Sequence, residues 1–210
     1  MKRRRLILLP LAILLLSLAR TAAAHPLGNF TINRFSLLQP GPQSLAVSYV
    51  VDMAEIPAFQ ERQRIDADGD GFLALAEQQA YLQEVAPRLA AGLALRVDGA
   101  PAALMPISRR LTFPPGQADL PTLRLEIELL AELEAGRPAW EASYEDINYA
   151  ERLGWREVVV RPAQGVALLA SSVPEQGLSD ALRAYPAERL QSPPAVSAAS
   201  FRFAPAGASA

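Results

Sequence analysis

The 210-residue sequence has no cysteine, a single histidine (His25) and a single lysine (Lys2). Without cysteine there is neither a disulfide framework nor a thiolate metal site. One lysine, placed at the extreme N-terminus, argues against Schiff-base chemistry. A serine nucleophile would have only His25 as its base, and no G-x-S-x-G elbow is present. There is also no phosphate-cradling glycine loop and no dinucleotide fingerprint. Half of the residues are hydrophobic and a fifth are charged, an ordinary globular composition.

Residues 1–24 read as a leader rather than as part of the fold. Lys2 to Arg5 form a basic start, Leu6 to Leu18 an apolar run, and Ala22-Ala23-Ala24 a small-residue cleavage site. The alternative is an uncleaved membrane anchor, but the apolar run contains Pro10 and falls short of the roughly 20 residues needed to span a bilayer. Cleavage after Ala24 removes Lys2, Arg3, Arg4, Arg5 and Arg20. That leaves 15 basic against 22 acidic side chains, a net charge of −7. Such a chain has no basic patch for nucleic acid. No later run is long enough to cross a membrane, so the expected product is soluble and either periplasmic or secreted.

The most legible stretch is IDADGDGFLALAE, Ile65 to Glu77. Asp66, Asp68, Asp70, Gly71, Phe72 and Glu77 fall in the D-x-D-x-D-G order of a twelve-residue EF-hand loop. Side chains at loop positions 1, 3 and 5 (Asp66, Asp68, Asp70) surround one hard cation. Gly71 permits the sharp turn, Phe72 offers its carbonyl at position 7, and Ala74 at position 9 leaves a corner to water. Glu77 at position 12 can close the shell with two oxygens, which suits Ca²⁺ better than Mg²⁺. Leu73 is the apolar residue that pins the loop to the fold. A lone hand lacks its usual partner loop, so the expected Kd lies in the weak extracellular range, about 10⁻⁴–10⁻³ M.

After cleavage His25 would be the first residue. Its α-amine and imidazole could then chelate a transition metal such as Ni, Co or Cu. Pro26 has no N–H and cannot supply a third nitrogen, so the set is incomplete. The competing reading is an ordered N-terminus leading into the first strand.

Phe30–Leu38 and Leu45–Val51 read as strands joined by a Pro-Gly-Pro turn. The second alternates cleanly, whereas the first changes parity between Ile32 and Phe35, which a bulge would explain. Ile56, Phe59 and Ile65 suggest a short entering helix. Ala76, Ala80, Tyr81, Val85 and Leu89 mark the exiting one, with a kink or break at Pro87. Asp98-Gly99 signals a hairpin between Leu95–Val97 and Ala102–Ile107. Strand patterns follow at Leu123–Leu129, Trp140–Tyr144, Arg156–Arg161 and Val166–Ser171. Strand signals every ten residues or so give a mainly β fold, a β-sandwich interrupted by one EF-hand helix–loop–helix. The sandwich domain is expected over 25–174, with the insertion at 55–93. A C-terminal extension follows over 175–210, with a short helix at Leu178–Arg183, a strand fragment at Ser200–Phe203 and a disordered tail from Ala204.

Four segments, HPLGNFTINRF at 25–35, VVDMAEIPAFQE at 50–61, the DADGDG loop and NYAERLGWREVVV at 148–160, carry a resemblance. Together they resemble the extracytoplasmic N-terminal domain of bacterial nickel/cobalt transporters of the high-affinity nickel permease type. The resemblance runs from His25 to about Phe203 and implies a non-enzymatic accessory module acting with a membrane metal permease. The polytopic membrane domain of that family has no counterpart in these 210 residues, so transport itself is not carried over.

Glu141, Glu145, Asp146 and Glu151, near Trp140, Tyr144, Tyr149 and Trp155, raise one enzymatic alternative. A carboxylate pair in an aromatic cleft is the machinery of a carbohydrate-active enzyme. A solvated acidic loop over aromatic anchors explains the same residues.

Overall fold

The structure is a computed structural model describing residues 25–207. The leader expected over residues 1–24 lies outside the described residues, as does the end of the tail, 208–210. Two five-stranded sheets face one another. In the first, β5 (Met105–Thr112), β6 (Leu123–Glu132), β2 (Ser44–Met53), β1 (Ile32–Pro40) and β8 (Arg156–Val160) lie side by side in that order. In the second the order is β4 (Ala100–Pro101), β3 (Leu93–Val97), β7 (Trp140–Asp146), β10 (Ala198–Pro205) and β9 (Val166–Ser171). All pairings are antiparallel except β1 with β8. The fold is the expected mainly β sandwich with a helical insertion.

Alternation builds the core. Leu45, Val47, Tyr49 and Val51 of β2 and Leu123, Leu125, Ile127 and Leu129 of β6 turn inward and are all buried. They meet Leu95, Trp140, Tyr144, Phe201 and Phe203 of the second sheet in one apolar cluster. Trp140 stacks on Phe203 with ring centroids 5.1 Å apart. The insertion supplies α1 (Glu55–Ile65) and α2 (Leu75–Ala91) between β2 and β3. α2 packs along β5 and buries Tyr81, Val85, Ala86, Leu89 and Ala90.

Several local expectations are corrected. β1 carries no bulge: its register with β2 runs unbroken from Ile32↔Met53 to Pro40↔Leu45. The parity change arises because both faces of β1 are covered, so Phe35 packs outward into a second small cluster with Val50, Trp155 and Val159. The Asp98-Gly99 hairpin forms, with φ of 50° and 80°, but it joins only two residue pairs. Its expected second arm breaks at buried Leu104, and Met105–Thr112 crosses to pair with β6. In α1 only Ile65 of the apolar trio is fully buried, and Phe59 is exposed. In α2, Ala76 and Ala80 are exposed, and the helix continues through Pro87. Leu178–Arg183 is no helix of the ordinary hand, since Asp180, Ala181 and Leu182 all have positive φ. Nor are residues 198–205 an appendage. β10 reaches Pro205 and lies between β7 and β9, so the last strand completes the second sheet.

Candidate metal centre

The loop between α1 and α2 folds around its own carboxylates. Gly69 and Gly71 take φ of 73° and 85°, the left-handed region that disfavours a side chain, and so turn the chain twice within three residues. Asp66 ends α1, where its N–H donates to the Arg62 carbonyl at 2.9 Å. Its Oδ1 accepts the N–H groups of Gly69 (2.9 Å) and Asp70 (3.1 Å), and its Oδ2 that of Gly71 (3.0 Å). Asp68 Oδ1 accepts from Asp70 N–H at 3.2 Å, and Asp70 Oδ1 from Phe72 N–H at 2.7 Å. These contacts bring one carboxylate oxygen from each of Asp66, Asp68 and Asp70 within 4.8 Å of one another. Three oxygens so close, on largely exposed side chains, can hold a metal ion.

Glu77 stands outside that trio but ties the loop shut. Its Oε1 accepts the N–H of Ala67 (2.8 Å) and Asp68 (3.4 Å), and its Oε2 accepts Ala74 N–H at 2.8 Å. The last contact also caps α2, since Ala74 precedes the helix and has no polar side chain of its own. Leu73 packs against the core as expected, while its carbonyl accepts from Gln78 Nε2 at 2.8 Å. The Phe72 side chain is 77% exposed.

His25 lies in a different polar cluster, at the end of the first sheet. The ring is buried and its Nε2 lies 2.8 Å from Asp52 Oδ2. Nδ1 accepts the Leu27 N–H at 3.3 Å, and Thr31 Oγ1 lies 3.5 Å away. Nε2 also lies 3.1 Å from Asn33 Nδ2, so that edge of the ring faces both Asp52 and Asn33. Asn33 joins the group: its Oδ1 accepts Trp155 N–H (2.8 Å) and its Nδ2 donates to the Asp52 carbonyl (3.2 Å). Tyr185 Oη donates to Asp52 Oδ2 at 2.8 Å. Burial, and next the Asp52 charge, push the Tyr185 phenol well up. Asp52, Asn33 and Tyr185 were not anticipated, although a carboxylate inside the apolar run VVDM is the one signal that could have marked Asp52.

The late carboxylates do not converge. Glu141 and Glu145 sit on the exposed face of β7, and Glu151 is exposed in the following turn. Asp146 points into the core, where Arg34 Nε lies 3.0 Å from its Oδ2. Tyr144 turns the same way and its hydroxyl meets Ser36 Oγ at 2.8 Å.

No family model matches the chain, and a comparison with curated proteins finds no significant match. Among the described residues no helix is long and apolar enough to cross a membrane.

Proposed function

We propose that this protein is an exported calcium-binding module, in which Ca²⁺ held by Asp66, Asp68, Asp70, the Phe72 carbonyl and Glu77 clamps α1 to α2. The observation that carries the reading is the approach of three aspartate oxygens to within 4.8 Å in a loop with EF-hand spacing. Glu77 supports it, because its carboxylate already bonds to both ends of the loop. Calcium is favoured over magnesium because a twelfth-position glutamate gives two oxygens to a larger ion. With one hand only, the proposed role is structural rather than sensory, and the resemblance to nickel/cobalt transporter domains supports a membrane metal permease as its partner. Calorimetry with Ca²⁺ on the wild type and on Glu77→Gln tests the site. A Kd of about 10⁻⁴–10⁻³ M is expected for the wild type and at least tenfold weaker binding for the variant. Equal heats from the two proteins would remove Glu77 from the shell.

A second reading keeps His25 as a transition-metal ligand. It rests on the ring orientation: Nε2 faces Asp52 and Asn33, and Nδ1, the nitrogen a chelating α-amine would use, has only long partners at 3.3 and 3.5 Å. It requires a mature chain that begins at His25, which intact mass of the exported protein decides. Any other first residue ends it.

A further inference from the structure

The outer face of the first sheet is covered by a strap of chain. Val160 N–H donates to the Pro174 carbonyl (3.1 Å) where the strap leaves the end of β8. Glu157, buried on β8, then receives Leu178 N–H, Ser179 Oγ–H at 2.5 Å and Trp155 Nε1–H at 2.8 Å. Asp180, Ala181 and Leu182 follow with φ of 46°, 53° and 65°. Both Arg183 and Ala184 donate back to the Ser179 carbonyl (2.9 and 3.0 Å), closing one turn of left-handed helix built from residues with side chains. That hand is disfavoured for every L-residue in it. Leu182 drops into the small cluster of Phe35, Val50, Trp155 and Val159, apart from the main core. Arg124 Nη2 holds the Ala181 carbonyl at 2.7 Å, and Tyr185 reaches Asp52. The Tyr185 ring stands edge-on, 5.5 Å from both His25 and Trp155. Beneath lies a cavity of about 360 Å³ lined by His25, Asp52, Pro114, Arg124, Leu182 and Tyr185.

We propose that residues 174–185 form a clasp that opens over the His25–Asp52 end, with Glu157 as its catch. Residues 177–185 are held by side-chain hydrogen bonds and by Leu182, with Ala181 and Tyr185 packed at the edge of the same cluster, rather than by a strand ladder. The left-handed turn favours release, because an open chain is free to leave the disfavoured backbone region. Opening withdraws Tyr185 from Asp52 and uncovers that carboxylate, the His25 ring and Trp155. The two facing sheets can stay closed meanwhile, because Leu182 belongs to the outer cluster alone. The clasp shares no residue with the acidic loop.

Hydrogen exchange by mass spectrometry on the full chain tests this with substitutions of opposite sign. Residues 178–185 are expected to exchange at least tenfold faster than β2 and β6 in the wild type. Glu157→Gln, isosteric but unable to accept as a charge, is expected to raise that exchange by about another tenfold. Ala181→Gly, which removes the side chain that opposes a positive φ, is expected to slow it severalfold. Trypsin cleavage after Arg183 is expected to follow the same order. Exchange of 178–185 at the rate of β2, so that the segment opens only with global unfolding, would overturn the clasp. Acceleration by Ala181→Gly would overturn it as well, and that comparison with the wild type stands even if Glu157→Gln does not fold.

Discussion

Arg34→Met is the sharpest test of how the core is balanced. Arg34 lies between the sheets at 2% exposure and faces one anion, Asp146, with 3.0 Å between Nε and Oδ2. No hydrogen bond forms along that line, and Nη1 and Nη2 are sealed without acceptors. The pair is therefore an attraction between poorly solvated charges rather than a well-made bridge. Burial raises the Asp146 carboxyl from its ordinary 3.8 and outweighs Arg34, which pulls it down. A raised acid binds its proton more tightly when folded, so its stabilisation is complete below pH 3.8 and is lost as pH rises through the folded value. Removing Arg34 raises that value further. Breaking a buried pair by removing one partner usually costs about 3–5 kcal/mol, because the remaining charge is left buried and uncompensated. Relief of the sealed guanidinium offsets part of the total, so the change with pH is the cleaner quantity. Urea unfolding followed by circular dichroism at neutral pH and at about pH 4 measures it, with a loss of about 3–5 kcal/mol expected at the first and less than half of that at the second. The double variant Arg34→Met/Asp146→Leu should recover only part of that loss, because the Tyr49 hydroxyl and the Asn148 N–H then lose Asp146 as their acceptor. The same loss at both pH values would refute the reasoning.

The calcium reading predicts a modest thermal shift: at about 10 mM Ca²⁺ and a Kd of about 10⁻⁴–10⁻³ M, binding adds about 1.4–2.7 kcal/mol, which a chelator removes. Scanning calorimetry in calcium and in chelator checks it, and identical midpoints would count against any occupied site. All five tyrosines, Tyr49, Tyr81, Tyr144, Tyr149 and Tyr185, are raised above 10.0, each chiefly by burial. Their stabilisation is present below pH 10.0 and is lost as pH rises beyond it, so the folded protein should show little tyrosinate absorbance at about pH 11 until it unfolds. Gly154, at φ 152°, lies against the Ile32 carbonyl where a Cβ would collide with the backbone. Gly154→Ala is therefore expected to cost about 2–3 kcal/mol in urea unfolding.

Periodicity made the sandwich readable, because one face of β2 and β6 meets a single core and period two survives intact. It failed where two environments compete for one strand. Phe35 breaks the parity of β1 because Trp155, Val159 and Leu182, all distant in the chain, return to cover the outer face, and no local pattern records such contacts. The same distance hid the clasp: Leu178–Arg183 has helix-forming residues, yet Glu157, Arg124 and the pocket for Leu182 hold it in the opposite hand. The acidic loop was legible because its carboxylates lie within twelve residues and its glycines declare the turns. The His25 cluster was not, since strand pairing sets Asn33 beside Asp52 while only long-range hydrogen bonds bring in Trp155 and Tyr185.

That pairing sets the relation between the two sites. Segments 25–35, 50–61 and 148–160, which carry the transporter resemblance, meet at one end of the first sheet. Ala54 N–H donates to Thr31 O, Ile56 N–H to Asn29 O and Ile32 N–H to Leu153 O, each at 3.0 Å. α1 begins there, with buried Glu55 accepting Gln117 N–H at 2.9 Å, and ends at Asp66 in the acidic loop. Its eleven residues span about 16 Å. An ion at the far end thus fixes the C-terminus of the helix whose N-terminus is bonded into the His25–Asp52 end. If the loop is a structural clamp, chelation should loosen α1 and α2 while leaving the β1–β2 ladder protected, because nine consecutive residue pairs hold that ladder without the helix. Exchange that rises equally in β1, β2 and α1 on chelation would instead make the ion a determinant of the whole sandwich.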